Sequence, residues 1–202
     1  MLRRNVARAR GFAGQGRHLF AMPRRVAAFY LRAFWTALRT RDGYTSVIAT
    51  RPSDAVQLIA LARGRRSVVE LGTGTAWTTI ALALADRGRR VVSYDPEAHA
   101  QRERYLALIE TGMRARIELR RQLGQEASPA PGTVDFLFID CAHDRVSTAD
   151  SFRAWEPAIV PGGVVAFHDY DHPEFPGVRE AVEELELAGE ASGGLFVWRK
   201  QS

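Results

Sequence analysis

Two short apolar runs end on side chains that could do chemistry. Val134-Asp135-Phe136-Leu137-Phe138-Ile139 is followed by Asp140, with His143 three residues later, and Val164-Val165-Ala166-Phe167 by His168 and Asp169. If these runs are neighbouring parallel strands, their ends meet at one edge of a sheet. Asp140, His168 and Asp169 are then three oxygen and nitrogen donors converging on one point, a set able to hold Mg²⁺ or another hard divalent cation. Such an ion lowers the pKa of a bound hydroxyl and orients it for attack, and His143, with an unperturbed pKa of about 6.5, is placed to take the proton. The same residues also suit plainer duties: an Asp at a strand end caps an adjacent helix or turn, and His168 can be a hydrogen-bonded core histidine. Cys141, the single cysteine, reads as a small buried filler, since no base with an orienting partner singles it out. His172 reads as a solvated loop residue.

A second constellation lies upstream. Val68-Val69-Glu70-Leu71-Gly72-Thr73-Gly74 joins a buried strand to a helix through two glycines, which lets backbone approach a ligand closely at the carboxyl edge of a sheet. A dinucleotide site wants a small residue at position 77 for close helix packing and a pyrophosphate at the helix N-terminus, but position 77 is Trp. The Glu70 carboxylate would repel pyrophosphate and suits a cofactor carrying ammonium and sulfonium charge, so the charge pattern favours S-adenosylmethionine. Val91-Val92-Ser93-Tyr94 ends on Asp95, 21 residues beyond Gly74, the spacing at which a carboxylate accepts both ribose hydroxyls. Glu70, Gly72, Thr73, Gly74, Asp95 and the adjoining Pro96 form one expected cofactor site, with Asp140 at its border and Trp77 either touching the cofactor or packed as a core aromatic.

These residues need a scaffold that brings strand ends together. Apolar runs alternate with helical stretches: strands at 67–71, 90–94, 116–120, 134–139 and 164–167, helices at 77–86, 97–110 and 147–159. Pro161-Gly162-Gly163 reads as a turn before a buried strand. The tail adds a helix at 178–187 and a hairpin in which 187–191 pairs with the edge strand 195–199 through Ser192-Gly193-Gly194. The pattern predicts an α/β fold, Rossmann-like, with a mostly parallel seven-stranded sheet, helices on both faces and an antiparallel edge strand.

At this point the chain resembles the class I methyltransferases, whose first motif is an acid followed by glycines at alternate positions, with Ala76 standing here for the third glycine. The segment from Val134 to Asp169 resembles the small-molecule O-methyltransferases, both the metal-dependent catechol type and the macrocin O-methyltransferase-like group, over roughly residues 45–200 as a fold-level pattern. The resemblance implies methyl transfer to a hydroxyl of a small molecule. It matches Asp140 to a metal ligand on the fourth strand, Asp169 to a ligand on the fifth, and His143 to the position of a lysine base. Tyr170 stands where catechol-type enzymes place an asparagine ligand, so the metal set departs from theirs.

Composition divides the chain further. The formal charge is +5, yet residues 1–41 hold ten Arg and no acid, leaving 18 of the 28 basic residues against all 23 acidic ones in an acidic body. Residues 1–22, with Gly11, Gly14 and Gly16, read as a basic flexible arm. Residues 23–44 read as an amphipathic helix, and 45–202 as the catalytic domain. A helix from Ser53, its plausible N-cap, to Gly64 leads into the first strand. In the 23–44 helix Val26, Phe29, Tyr30, Ala33, Phe34, Ala37 and Leu38 share one side while Arg25, Arg32 and Arg39 recur every seven residues on another. It is expected to act as a lid or a homodimer contact; an anionic membrane surface and an RNA-binding arm are the rival uses. The acidic body, and the lack of an Asn/Asp-Pro-Pro-Tyr/Phe motif after the fourth strand, oppose a nucleic-acid substrate, so an RNA methyltransferase and a catalytically inactive nucleotide-binding module stand as the alternatives. No run approaches the roughly 18 apolar residues of a membrane span. The N-terminus lacks a secretory pattern, and one cysteine fits a reducing, cytoplasmic setting, although an Arg-rich, acid-free start is also the composition of a mitochondrial transit peptide.

Overall fold

A computed structural model describes residues 15–201. In chain order its elements are α1 (Gly16–Leu19), α2 (Arg24–Arg39), α3 (Thr45–Ile48), α4 (Pro52–Leu61), β1 (Ser67–Leu71), α5 (Trp77–Ala85), β2 (Arg90–Tyr94), α6 (Arg102–Leu106), α7 (Thr111–Arg114), β3 (Ile117–Arg120), β4 (Val134–Ile139), α8 (Arg145–Trp155), β5 (Ile159–Phe167), α9 (Pro176–Glu184), β6 (Gly189–Ser192) and β7 (Leu195–Arg199). The strands form one seven-stranded sheet ordered β3-β2-β1-β4-β5-β7-β6. Pairs from β3 through β5 are parallel, and β7 and β6 are added antiparallel at one edge. The expected Rossmann-like α/β fold is the one observed.

The central strands are apolar on both faces, as a parallel sheet covered twice requires. One face sends Val69, Leu71, Leu137, Ile139, Val165 and Phe167 against Phe152 and Trp155 of α8 and Val178 and Val182 of α9. The alternate residues, among them Val68, Phe136, Phe138, Val164 and Ala166, meet Leu58 and Ala62 at α4 and Leu82 and Ala83 of α5. Side chains of period two therefore fill two layers, and the strand ends are left free to carry loops.

Several boundaries differ from the sequence expectations. The chain from Gly16 to Leu19 is helical despite its glycine, and Gln15 accepts a hydrogen bond from Ser53 N at 3.1 Å, so this part of the expected arm is docked on α4. Residues 1–14 lie outside the described range. Pro52, not Ser53, opens α4: its missing N–H costs nothing at the first helical position, and Ser53 instead hydrogen-bonds Asp54. The helix expected over 97–110 is shortened to α6, which starts only at Arg102; Asp95 accepts from Glu97 N at 2.9 Å and turns the chain before it, and α7 follows as a separate turn beyond residue 110. Pro161-Gly162-Gly163 is an irregular stretch inside β5, where the register against β4 slips and Gly162 takes φ +72°.

Helix α2 packs inward. Val26, Phe29, Tyr30, Ala33 and Ala37 are buried, with Phe29 and Tyr30 meeting the Trp77 ring edge-on at 6.0 and 5.4 Å. Its aromatic stripe is thus used within the chain. Among the described residues, no helix is long and apolar enough to cross a membrane.

Candidate active site

The sheet register brings the chemistry together. Leu71 pairs with both Tyr94 and Ile139, and Ile139 with Phe167. The residues that follow these strand ends are Gly72, Asp95, Asp140 and His168. Three continue the ladder by one bond each: Gly72 N to Tyr94 O at 2.8 Å, Asp140 N to Leu71 O at 2.8 Å and His168 N to Ile139 O at 3.0 Å. Four loops thereby leave the sheet side by side at its carboxyl edge, the place where open α/β sheets bind ligands.

The glycine loop is shaped by this crowding. Gly72 has φ +106°, and a Cβ there would stand 2.0 Å from Asp140 O. Gly74 has φ +49° and donates its N–H to Asp95 Oδ2 at 2.9 Å. Ala76, at the position of the third glycine, is left-handed with φ 68°, the conformation for which glycine is ordinarily used. Thr73 shares a hydrogen bond with Ser93 at 2.6 Å, and Ser93 donates to Glu70 Oε2 at 2.5 Å, which Thr79 also reaches. Glu70 is 0% exposed and its Oε1 has no hydrogen-bond partner among the described residues. Burial pushes its carboxyl up to about 8, against the lowering effect of the Ser93 and Thr79 hydrogen bonds. Glu70 therefore lies beneath the loop and is joined to it through Ser93 and Thr73, whereas the other expected cofactor residues, Gly72, Thr73, Gly74, Trp77, Asp95, Pro96 and Asp140, all line the cavity above.

Asp95 is already engaged. Besides Gly74 N and Glu97 N it accepts from Arg102 Nη2 at 2.8 Å, while Arg102 Nε donates to Gly74 O at 3.0 Å. One arginine of α6 thus ties the carboxylate to the glycine loop.

On the other side of the cavity Asp140, His143, His168 and Asp169 form a compact cluster. Asp140 Oδ1 is 3.3 Å from His143 Nε2 and 2.8 Å from His168 Nδ1, and Asp169 Oδ2 is 3.3 and 3.7 Å from the same nitrogens. Burial would raise Asp140, but the His168 charge and hydrogen bonds from both histidines hold it down to about 2. Burial would likewise lower His143; hydrogen bonds to Asp140 and Asp169 carry it up to about 9. His168 is also raised, by the Asp140 charge and hydrogen bond, against its burial. One donor atom from each of the four residues lies within 4.8 Å of all the others. Donors about 2.1 Å from a shared cation stand no more than about 4.2 Å apart and donors about 2.4 Å from a larger one no more than about 4.8 Å, so a small inward shift would seat the first and none is needed for the second; the two nitrogens suit a transition metal at least as well as Mg²⁺. The four residues fit a divalent cation.

Strain marks the same loops. Of the six non-glycine residues with positive φ among the described residues, Ala76, Ala142, His143 and Asp169 border this site, and such conformations persist only where surrounding structure holds them. His143 is held by its carboxylates and by stacking on Phe175, ring centres 4.5 Å apart. Cys141 touches Ser151 at 3.6 Å, and burial pushes its thiol up to about 11, the behaviour of a filler.

Both halves open into one cavity of about 1050 Å³, lined also by Asp54, Arg51 and residues 46–50. Sequence reasoning missed Asp54, whose Oδ2 is 3.4 Å from His168 Nε2, because an acid in the first turn of a helix reads as ordinary capping electrostatics. It missed Arg102 and Phe175 for the same kind of reason: neither belongs to a motif.

A profile of the methyltransferase domain family matches residues 69–170, half of the chain. No curated protein sequence matches it. Solved structures do. The O-methyltransferase TomG of Streptomyces achromogenes, involved in tomaymycin synthesis and solved with S-adenosylmethionine, is 20% identical over 76% of this chain and 82% of its own, with a TM-score of 0.60. An O-methyltransferase from Bacillus cereus in complex with SAH is 20% identical over 76% and 84%, TM-score 0.62. A methyltransferase from Geobacter sulfurreducens is 19% identical over 89% of each chain, TM-score 0.64. At these identities the likeness is one of fold.

Proposed function

The chain belongs to the methyltransferase domain family, and from that premise we propose that it transfers the methyl group of S-adenosylmethionine to a hydroxyl of a small molecule, assisted by a divalent cation. The observation that carries this reading is the row of Gly72, Asp95, Asp140 and His168 at one sheet edge, opening into a single cavity large enough for a nucleoside cofactor and an acceptor. The backbone of Gly72 to Gly74 and the Asp95 carboxylate would hold the cofactor, Asp95 by accepting from the ribose hydroxyls, with Pro96 and Trp77 as walls. Glu70 supports the loop from below. Bound there, S-adenosylmethionine supplies an electrophilic methyl group on a sulfonium.

Asp140, His168 and Asp169 would hold the cation, which supplies Lewis acidity at the acceptor oxygen. His143 faces both carboxylates and carries a proton at neutral pH when no cation is bound. It takes the acceptor proton only from the state in which it has lost its own. Phe175 fixes the imidazole plane while it does so.

Calorimetric titration with S-adenosylmethionine tests the first half, with the Asp95→Ala chain alongside. Binding that falls about 10- to 100-fold in the variant, the loss of one or two hydrogen bonds to a charged group, supports the assignment; no binding to the parent chain sinks it. Product formation on hydroxylated acceptors, with and without a chelator, tests the second. Turnover indifferent to chelation removes the cation from the reading and leaves His143.

A further inference from the structure

We propose that the outward side of α2 is a docking surface for an anionic lipid bilayer. The helix buries Val26, Phe29, Tyr30, Ala33 and Ala37 in the body, yet it is apolar on its opposite side too. Leu31, Trp35 and Leu38 are 58, 62 and 50% exposed, and their four- and three-residue steps place them on one stripe. Just before the helix Phe20 is 93% exposed. Arg25, Arg32 and Arg39, all exposed, recur every seven residues along the flank of that stripe. Among the described residues no carboxylate lies within ion-pair distance of Arg24, Arg25, Arg32 or Arg39, and no acid precedes Asp42 in the chain.

An unneutralised arginine row beside exposed Leu and Trp matches the layered chemistry of a bilayer surface. Phosphate headgroups meet the guanidinium groups, and the acyl boundary meets the apolar stripe, with the indole at the interface between them. Two other occupants fit less well. A nucleic-acid backbone offers the charge but gives Leu31 and Leu38 nothing apolar to cover them. A second copy packed antiparallel across a two-fold axis would set arginine row beside arginine row, and one packed parallel would leave both rows with no anionic group to meet. Further along the chain Tyr44, Val47 and Ile48 are again exposed, and the last two line the cavity.

The full chain is sedimented with vesicles of phosphatidylcholine alone and with vesicles of phosphatidylcholine and phosphatidylglycerol in equal parts. The proposal expects cosedimentation with the mixed vesicles only, weakening as salt is raised. Arg25→Gln, Arg32→Gln and Arg39→Gln should each lower the partition coefficient about five-fold, the change that about 1 kcal/mol per basic residue at an anionic surface corresponds to. Brominated acyl chains should quench tryptophan emission in the parent chain and not in Trp35→Phe, which still sediments; Trp77 and Trp155, at 3 and 2% exposed, are out of reach, and the half-buried Trp198 packs on Phe152 at the sheet face opposite the one that α5 and α2 cover. All these side chains are on the surface, so circular dichroism of each variant should match the parent. Absence of binding to the mixed vesicles overturns the proposal, as does equal binding to both kinds or quenching that persists without Trp35. Salt-sensitive binding to a generic RNA with none to vesicles, or lipid-free burial of Trp35 on raising protein concentration, overturns it in favour of nucleic acid or of self-association.

Discussion

Replacing Glu70 by Gln should shift stability steadily in favour of the variant as pH rises, on top of an offset that does not depend on pH. The carboxyl is fully buried, with Oε2 bonded to Ser93 and Thr79 and Oε1 without a hydrogen-bond partner among the described residues. Burial, opposed by those two hydrogen bonds, raises it from 4.5 to about 8. Below about pH 4.5 the group is neutral in the folded and the unfolded chain alike. Between there and about pH 8 the unfolded chain gives up its proton while the folded one keeps it, so stability falls as pH rises and levels off once both are ionised. About 3.5 pH units at about 1.4 kcal/mol each give a ceiling of about 5 kcal/mol. Gln cannot ionise, and its amide places two unpaired N–H donors where the neutral carboxyl leaves one O–H, so the substitution adds a cost of about 1–3 kcal/mol that is independent of pH. Urea unfolding of both proteins, followed by tryptophan fluorescence from about pH 5 to about pH 9, reads the difference directly, and subtracting the two curves cancels the histidines. The gap should open steadily towards high pH in favour of Gln. A gap that stays constant, or one that favours Glu at high pH, refutes the claim that this site holds a neutral acid.

His143, held up to about 9 by Asp140 and Asp169 against its burial, should titrate there by NMR in the metal-free protein, and Asp169→Asn should bring the midpoint down; a parent midpoint at the ordinary value of about 6.5 contradicts the geometry. Because that pKa is raised on folding, the stabilisation it brings is complete below about pH 6.5 and is lost as pH climbs to about 9. Gly72→Ala should lower stability by about 2–5 kcal/mol in thermal unfolding, combining strain at φ +106° with a Cβ 2.0 Å from Asp140 O; an unchanged melting temperature would mean the loop can move away from β4 freely. Trp155→Phe should cost about 1–3 kcal/mol in urea, because the buried Gly124 carbonyl loses its 2.8 Å hydrogen bond from the indole, and a neutral result would place water in that gap.

The fold was legible because it depends on short-range patterns. Short continuous apolar runs leading to Gly72, Asp95, Asp140 and His168 specify buried strands, and helical stretches between them leave a parallel sheet as the arrangement that buries both faces. Strand β5 was underestimated because Pro161-Gly162-Gly163 is turn chemistry wherever it stands, and only pairing with β4 and β7 makes it an irregular part of a strand. The late start of the helix expected from residue 97 was hidden for a related reason, since no residue in that stretch announces that Asp95 will turn the backbone.

Within the site, the sequence determined which chemistry is available: carboxylates and imidazoles at strand ends, glycines where a loop must come close. What each group faces was decided by the tertiary structure alone. Glu70 sits next to the glycines in the chain, yet the pleat alternates sides, so its side chain points into the core beneath the loop while Asp95, from the neighbouring strand, reaches the loop itself. Asp54 and Arg102 come from helices and enter the site only because packing places those helices against its rim. Helix α2 follows the same rule. Its sequence shows an apolar side and an arginine row, but packing against α5 takes Val26, Phe29, Tyr30, Ala33 and Ala37 as core and leaves Leu38, expected with them, facing outward beside Leu31 and Trp35. A sequence pattern sets the faces of an element, whereas contact between elements distant in the chain settles what those faces meet.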